Sequence, residues 1–241
     1  MSLTERIKNR IKKLPEATVF QYSDLKIEKA EYLSAAKVLE RMIAAAEIKR
    51  LSKGVFYKSQ KSIFGEIGPG YEQMLKKYLY QNGKRIAYIT GEYLYNLLGL
   101  TTQVAFRLKI ASNGSRVNIN TKQLKVTTVK AYADITEKNY ELLGYLDVLN
   151  NIDKIPDCKT GEAVSLMLKK IATLKIKQQQ QLIRLALKYP PRARALTGAI
   201  LENLKSELNI EELKESLNPL TSYKLGLKDN ELPTAKNWTI K

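Results

Sequence analysis

The sequence predicts an α+β protein: a small N-terminal domain of helices closed by a basic hairpin, then a mixed domain whose C-terminal half is helical. Three observations carry this. Apolar residues recur at helical spacing over residues 4–14 and 26–48, ahead of a turn signal at Ser52-Lys53-Gly54. Short strand-forming runs and one helical run occupy residues 85–132. From Asn139 onward the periodicity is helical, broken at Tyr189-Pro190-Pro191.

The first helix spans residues 4–14, with Ile7, Ile11 and Leu14 on one side and Pro15 as its stop. "TVFQYSDL" then predicts a short strand or turn entering a short helix near residues 23–25. In the next helix Ala35, Leu39, Met42, Ile43 and Ala46 can share a face, and Lys29, Tyr32, Lys37, Glu40 and Arg41 fall outside it. Residues 48–51 and 55–57 are strand-forming, and Gly54 supplies the positive φ that a tight turn often needs. Helix, short helix, long helix and basic hairpin is the order of a winged helix-turn-helix, which places this domain at residues 1–60. One helix fits a major groove, and a hairpin beside it reaches phosphates with Lys and Arg. The candidate DNA-binding residues are Lys29, Tyr32, Ser34, Lys37 and Arg41 on the helix, and Lys49, Arg50, Ser52 and Lys53 on the hairpin. A small helical domain with a structural hairpin is the alternative, and winged helices also serve protein contacts.

The second domain is expected over residues 61–241. "GEIGPG" at 65–70 is expected to be a linker, since it lacks the Gly-Lys-Ser/Thr ending of a phosphate loop. Residues 71–83 look helical. "RIAYIT" predicts a strand and "GEYLYNLLGL" a short helix closed by Gly99. "QVAFRLKIAS" and "RVNIN" predict two strands joined by an Asn-Gly turn, and "QLKVTTVKAY" predicts another strand. Three helices follow. In the last, Arg192 and Arg194 occupy the first turn, where the helix dipole disfavours cations unless an anion answers them. They mark a contact site or a pairing with Asp or Glu inside the domain. The tail carries the single tryptophan, Trp238, with Tyr223 and Leu232, and is expected to dock on its own domain or on a partner.

Composition narrows the partner. Lys and Arg number 41 against 24 Asp and Glu, a net charge of +17. The excess is concentrated early: residues 1–58 carry 13 Lys or Arg against 7 Asp or Glu, and residues 59–130 carry 11 against 3. Such an excess favours a polyanion, with a solubilising surface as the bland alternative. There is no apolar run near the ~20 residues of a membrane span, so no membrane partner is expected. The charged start and the single cysteine, Cys158, fit a cytoplasmic protein. The chain has no histidine, which removes imidazole bases, Ser-His-Asp triads and His-ligated zinc. No enzyme activity, cofactor or metal is expected.

Three stretches together resemble the bacterial AbiEi-type antitoxins of type IV toxin–antitoxin systems: "VLERMIAAAEIKRLSKGVFYK", "TGEYLYNLLGLTTQVAFRLKIASNGSRVNI" and "YPPRARALTGAILENL". The resemblance covers residues 27–204. It departs at Ala105, where a Pro is usual after Gln-Val, and at Thr197, where a small residue is usual. The resemblance implies a transcriptional regulator, an autorepressor whose winged helix binds repeats in its own promoter. It also implies that the chain neutralises a nucleotidyltransferase-like toxin, in a class described as acting without a stable complex. By position, Lys37, Arg41, Arg50 and Lys53 fall in the DNA-binding segment, and Arg192 and Arg194 in the antitoxin domain. The toxin's own chemistry is not expected here: Gly114-Ser115 is followed by no acid until Asp134, so no spaced carboxylates would hold Mg²⁺. The competing reading is a stand-alone winged-helix transcriptional regulator whose second domain senses a ligand or partner.

Overall fold

The computed structural model describes residues 1–62, 65–114, 116–120, 124–228 and 230–241. The fold is α+β. It divides into two compact units, Met1–Lys77 and Tyr78–Lys241.

The first unit begins with α1 (Leu3–Lys13). Ser2 caps it in a reciprocal capping box with Glu5, and Ile7 and Ile11 form its buried stripe. Strand β1 (Val19–Gln21) follows. Residues 22–26 form turns, not the short helix that the sequence suggests. Asp24 accepts the Gln21 backbone N–H at 2.7 Å, and this local bond competes with helix. A 3₁₀ turn (Lys29–Glu31) leads into α2 (Tyr32–Ala44). The helix ends earlier than its apolar pattern implies, and Ala46, expected on the apolar face, is exposed at φ 57. Strands β2 (Lys49–Ser52) and β3 (Val55–Tyr57) form an antiparallel hairpin with a register shift between Arg50 and Ser52. β1 pairs with β3, giving the order β1-β3-β2. Ala35, Val38, Leu39 and Met42 of α2 pack with Phe20 and Phe56 of the sheet in one core. A second hairpin, β4 (Gln60–Ser62) and β5 (Gly65–Ile67), follows. The expected linker is therefore partly strand, and only residues 68–70 separate β5 from α3 (Tyr71–Leu79).

In the second unit, β6 (Tyr80–Gln81) and β7 (Lys84–Arg85) form a small hairpin across Asn82-Gly83, both at positive φ. The helix expected to reach residue 83 stops at Leu79 because an Asn-Gly turn reverses the chain there. Strand β8 (Ala87–Thr90) and helix α4 (Glu92–Leu97) follow, with Gly99 at φ 78 closing the helix. Strands β9 (Leu108–Ser112), β10 (Asn118–Asn120) and β11 (Lys125–Lys130) complete a four-stranded sheet in the order β10-β11-β9-β8. The expected hairpin of the β9 and β10 segments does not form. β9 pairs parallel with β11, and β10 pairs antiparallel with β11. Asn113 is committed elsewhere, donating its amide to the Ala133 carbonyl at 2.8 Å. Ser115 of that expected turn and Gln123 of the next expected strand lie outside the described residues.

Helices α5 (Tyr140–Asn150), α6 (Thr160–Ala172), α7 (Ile176–Ala186) and α8 (Pro191–Asn203) form the helical half, with a short α9 (Glu211–Glu215). They share one large core with Tyr88 and Ala111 of the sheet. The tail returns to this core through a 3₁₀ turn (Pro233–Trp238), and Trp238 is 1% exposed.

A buried carboxyl ties sheet to helices. Asp147 on α5 sits 2.9 Å from the Tyr88 hydroxyl, 2.7 Å from the Thr90 hydroxyl and 2.9 Å from the Tyr189 hydroxyl. The Tyr189 hydroxyl is also 3.1 Å from the Leu143 carbonyl, yet it has one proton to give. A protonated Asp147 resolves this, by donating to Tyr189 while Tyr189 donates to Leu143. Burial pushes the Asp147 carboxyl up from its ordinary 3.8, against the bonds donated by Thr90 and Tyr88, which pull it down. A raised folded-state pKa means that the fold binds this proton more tightly. This contribution to stability is whole below pH 3.8 and declines as pH rises towards the folded value. Asp147→Asn keeps a carbonyl for Tyr88 and Thr90 and supplies an N–H to Tyr189. The variant should gain stability at pH 7 relative to wild type and lose that part of the decline. Urea midpoints from pH 4 to 7 check this, and parallel wild-type and variant curves would refute it.

Candidate nucleic-acid interface

The exposed face of α2 is set by its buried one. With Ala35, Val38, Leu39 and Met42 turned inward, the 100° step of the helix puts Leu33, Ser34, Lys37, Glu40 and Arg41 on the outside. Leu33 is 84% exposed at the start of this stripe. Arg41 lies back along the helix, donating from Nε to the Lys37 carbonyl at 3.3 Å. Tyr32 stands at the border of the two faces, with its ring 5.3 Å from that of Tyr22. Tyr22 meets Phe56 edge-on at 5.7 Å, and Phe56 stacks on Phe20 at 5.9 Å. This run of rings fastens the start of α2 to the sheet, so Tyr32 is in part a structural residue. Lys29 is exposed in the 3₁₀ turn just before the helix.

That turn is anchored from α1. Arg6 donates both guanidinium nitrogens to Glu31, at 3.0 and 3.2 Å. The guanidinium holds the Glu31 carboxyl below its ordinary 4.5.

On the hairpin, Lys53 is exposed beside Gly54, whose φ is 74. Ser52 and Lys49 are half-buried on β2. Arg50 is exposed, but its guanidinium reaches across to Glu40 of α2 at 3.7 Å and lies 5.8 Å from the Phe56 ring. Helix and hairpin are thus linked by an ion pair that draws on one of the candidate cations. Lys29, Ser34, Lys37, Arg41, Arg50 and Lys53 are all exposed within this unit. Sequence reasoning missed Tyr22, which positions Tyr32, and Glu40, which restrains Arg50. Nothing in the local pattern signals either partner, because each acts across elements.

A protein-family model described as a family of unknown function, DUF6088, matches residues 6–180. The chain belongs to this family. The DUF6088 chain is also similar to the crystal structure of the RV2827C protein from Mycobacterium tuberculosis, with a TM-score of 0.55 at 11% identity. That similarity covers 97% of this chain and 88% of the mycobacterial one, and it is a likeness of fold. No curated protein matches the chain.

The two arginines of α8 are answered from within the second unit of the DUF6088 chain. Arg192 pairs with Asp153 at 2.6 Å, and Arg194 donates to the Ser216 carbonyl at 2.9 Å. Both are half-buried; a carboxylate answers Arg192 as a pairing inside the domain predicts, whereas Arg194 meets a backbone carbonyl. Among the described residues, no group of three or more His, Cys, Asp or Glu side chains could hold a metal ion. No described helix is long and apolar enough to cross a membrane.

Proposed function

We propose that the first unit is a winged helix-turn-helix that binds duplex DNA, and that the chain is an antitoxin repressing its own promoter. The observation that carries the DNA reading is the arrangement of α1, β1, α2 and the β2–β3 hairpin around one core, in the strand order β1-β3-β2. It sets the cationic stripe of α2 beside a short hairpin tipped by Lys53. The helix would enter a major groove with Ser34, Lys37 and Arg41, and the hairpin would reach a flanking phosphate. Lys29 at the helix entrance would add a second backbone contact. The antitoxin role rests on the three stretches that resemble AbiEi-type antitoxins. On that reading the second unit serves neutralisation of a nucleotidyltransferase-like toxin, and the protein works in the cytoplasm.

The test has two arms. Gel shifts compare the DNA upstream of the protein's own gene with a random duplex across a salt series. Specific binding that weakens steeply with salt is the expected result. Equal weak binding to both duplexes would reject a promoter reader. Co-expression with the neighbouring gene product is then expected to rescue growth, and absence of rescue would leave a transcriptional regulator that is not an antitoxin.

A further inference from the structure

The second unit carries an exposed aromatic that its core does not use. Phe106 lies in the segment entering β9 and is 78% exposed, and Val104 beside it is 83% exposed. A singly exposed apolar side chain is ordinary in itself, so the groups around this ring decide what it is for. The ring is held from one side: the ammonium of Lys125, on β11, lies 4.0 Å from its centroid. The opposite face of the ring is therefore the accessible one.

The surroundings are cationic and amide-bearing. Strand register pairs Asn120 with Lys125, and Asn118 with Thr127, so these four side chains share one face of the sheet. Both asparagines are exposed, and Lys125 and Thr127 are half-exposed. Arg107, next to Phe106, is exposed as well. From Tyr93 to Ala133 the chain has six Lys or Arg and no Asp or Glu. Two carboxylates bonded to this part of the chain are engaged: Glu92 with Lys109 at 3.3 Å, and Asp157 with the Gln103 amide at 2.6 Å.

These features select among occupants. An apolar protein face would cover Phe106 but would strip water from Lys125 and Arg107 without compensation. An acidic protein face would answer the cations, but its carboxylates would not stack on the negative face of the open ring. A single nucleic-acid strand satisfies all three groups at once. Its base stacks on Phe106, its phosphates meet Lys125 and Arg107, and its base edges meet the Asn118 and Asn120 amides. Duplex DNA cannot, because its base faces are stacked on one another.

We propose that this face, centred on Phe106 and Lys125, is a binding site for single-stranded nucleic acid. It is separate from the duplex reading of the first unit and does not depend on it.

The test is fluorescence anisotropy of the full chain with labelled single strands of about 12 nucleotides, one RNA and one DNA, of mixed sequence. Binding of at least one strand is expected. Phe106→Ala should weaken it about tenfold or more, and Phe106→Trp should retain it. Arg107→Ala/Lys125→Ala should weaken it and flatten its salt dependence. The exposed position of Phe106 leaves the fold intact, and circular dichroism melting would register any exception. Lys37→Ala/Arg41→Ala should leave single-strand binding unchanged, and Phe106→Ala should leave duplex binding unchanged. The proposal is overturned if wild type binds neither strand, if Phe106→Ala binds as tightly as wild type, or if binding falls only with Lys37 and Arg41.

Discussion

Trp238→Ala should destabilise the second unit by about 3–5 kcal/mol, the range of a large buried aromatic removed from a packed core. The side chain is 1% exposed and belongs to the main core of that unit. Its indole lies on Gly198 of α8 so closely that a Cβ there would sit 2.2 Å from ring carbons Cη2 and Cζ3. The contact is pinned on both sides. Thr234 donates to the Ala199 carbonyl at 2.6 Å, the Asn237 amide donates to Glu202 at 2.6 Å, and the indole N–H donates to the same carboxylate. Tyr223 and Ile240 then bridge the two arms of the tail. Losing the indole opens a cavity and unfastens the last turn together.

Gly198 makes the prediction sharper. In an open helix Gly→Ala gains roughly 1 kcal/mol through helix propensity. In the wild-type chain Gly198→Ala should instead destabilise, because a rigid ring cannot give way. In the Trp238→Ala background the same substitution should become neutral or stabilising. The two changes are therefore strongly non-additive. Urea denaturation followed by far-ultraviolet circular dichroism on all four chains measures the cycle. Additive effects would mean that the indole does not occupy the groove over Gly198.

The second large effect concerns DNA. Lys37→Ala/Arg41→Ala/Lys53→Ala should lower duplex affinity about 10–100-fold near ~0.1 M salt, and should reduce the slope of log K against log salt by about 3. Each charge removed forfeits about one released counterion, so the slope counts contacts where affinity alone does not. Arg50 is a different case, because Glu40 already lies 3.7 Å away. Removing Glu40 frees Arg50 and deletes a negative charge from the helix stripe. Glu40→Gln should therefore tighten duplex binding, whereas Arg50→Ala weakens it and exposes the carboxylate to phosphate. Weaker binding by Glu40→Gln would show that the ion pair matters for holding the hairpin against α2 and not for charge.

The candidate interface was largely legible in the sequence because its signals are local. Helical spacing of Ala35, Leu39 and Met42 decides which side of α2 faces out, and Gly54 between two strand-forming runs decides the hairpin. The two Asn-Gly pairs mark the limit of such reasoning. Asn82-Gly83 turns a hairpin within a stretch that reads as helix, and Asn113-Gly114 does not join the strands on either side of it. The dipeptide permits a turn, but which strands pair is decided by partners distant in sequence. β9 takes β11 and β8 as neighbours because that arrangement puts Tyr88 and Ala111 against the helices.

The sequence by itself determined the α+β class, the helical C-terminal half, the basic hairpin and the cationic bias of the first 130 residues. Periodicity, turn chemistry and charge are properties of short segments, so they survive without coordinates. Tertiary structure decided the rest: the parallel pairing of β9 with β11, the Glu40–Arg50 link, the three hydroxyls around Asp147, and the indole on Gly198. Each joins residues far apart along the chain. Their energies come from burial and geometry that exist only once distant segments have packed together.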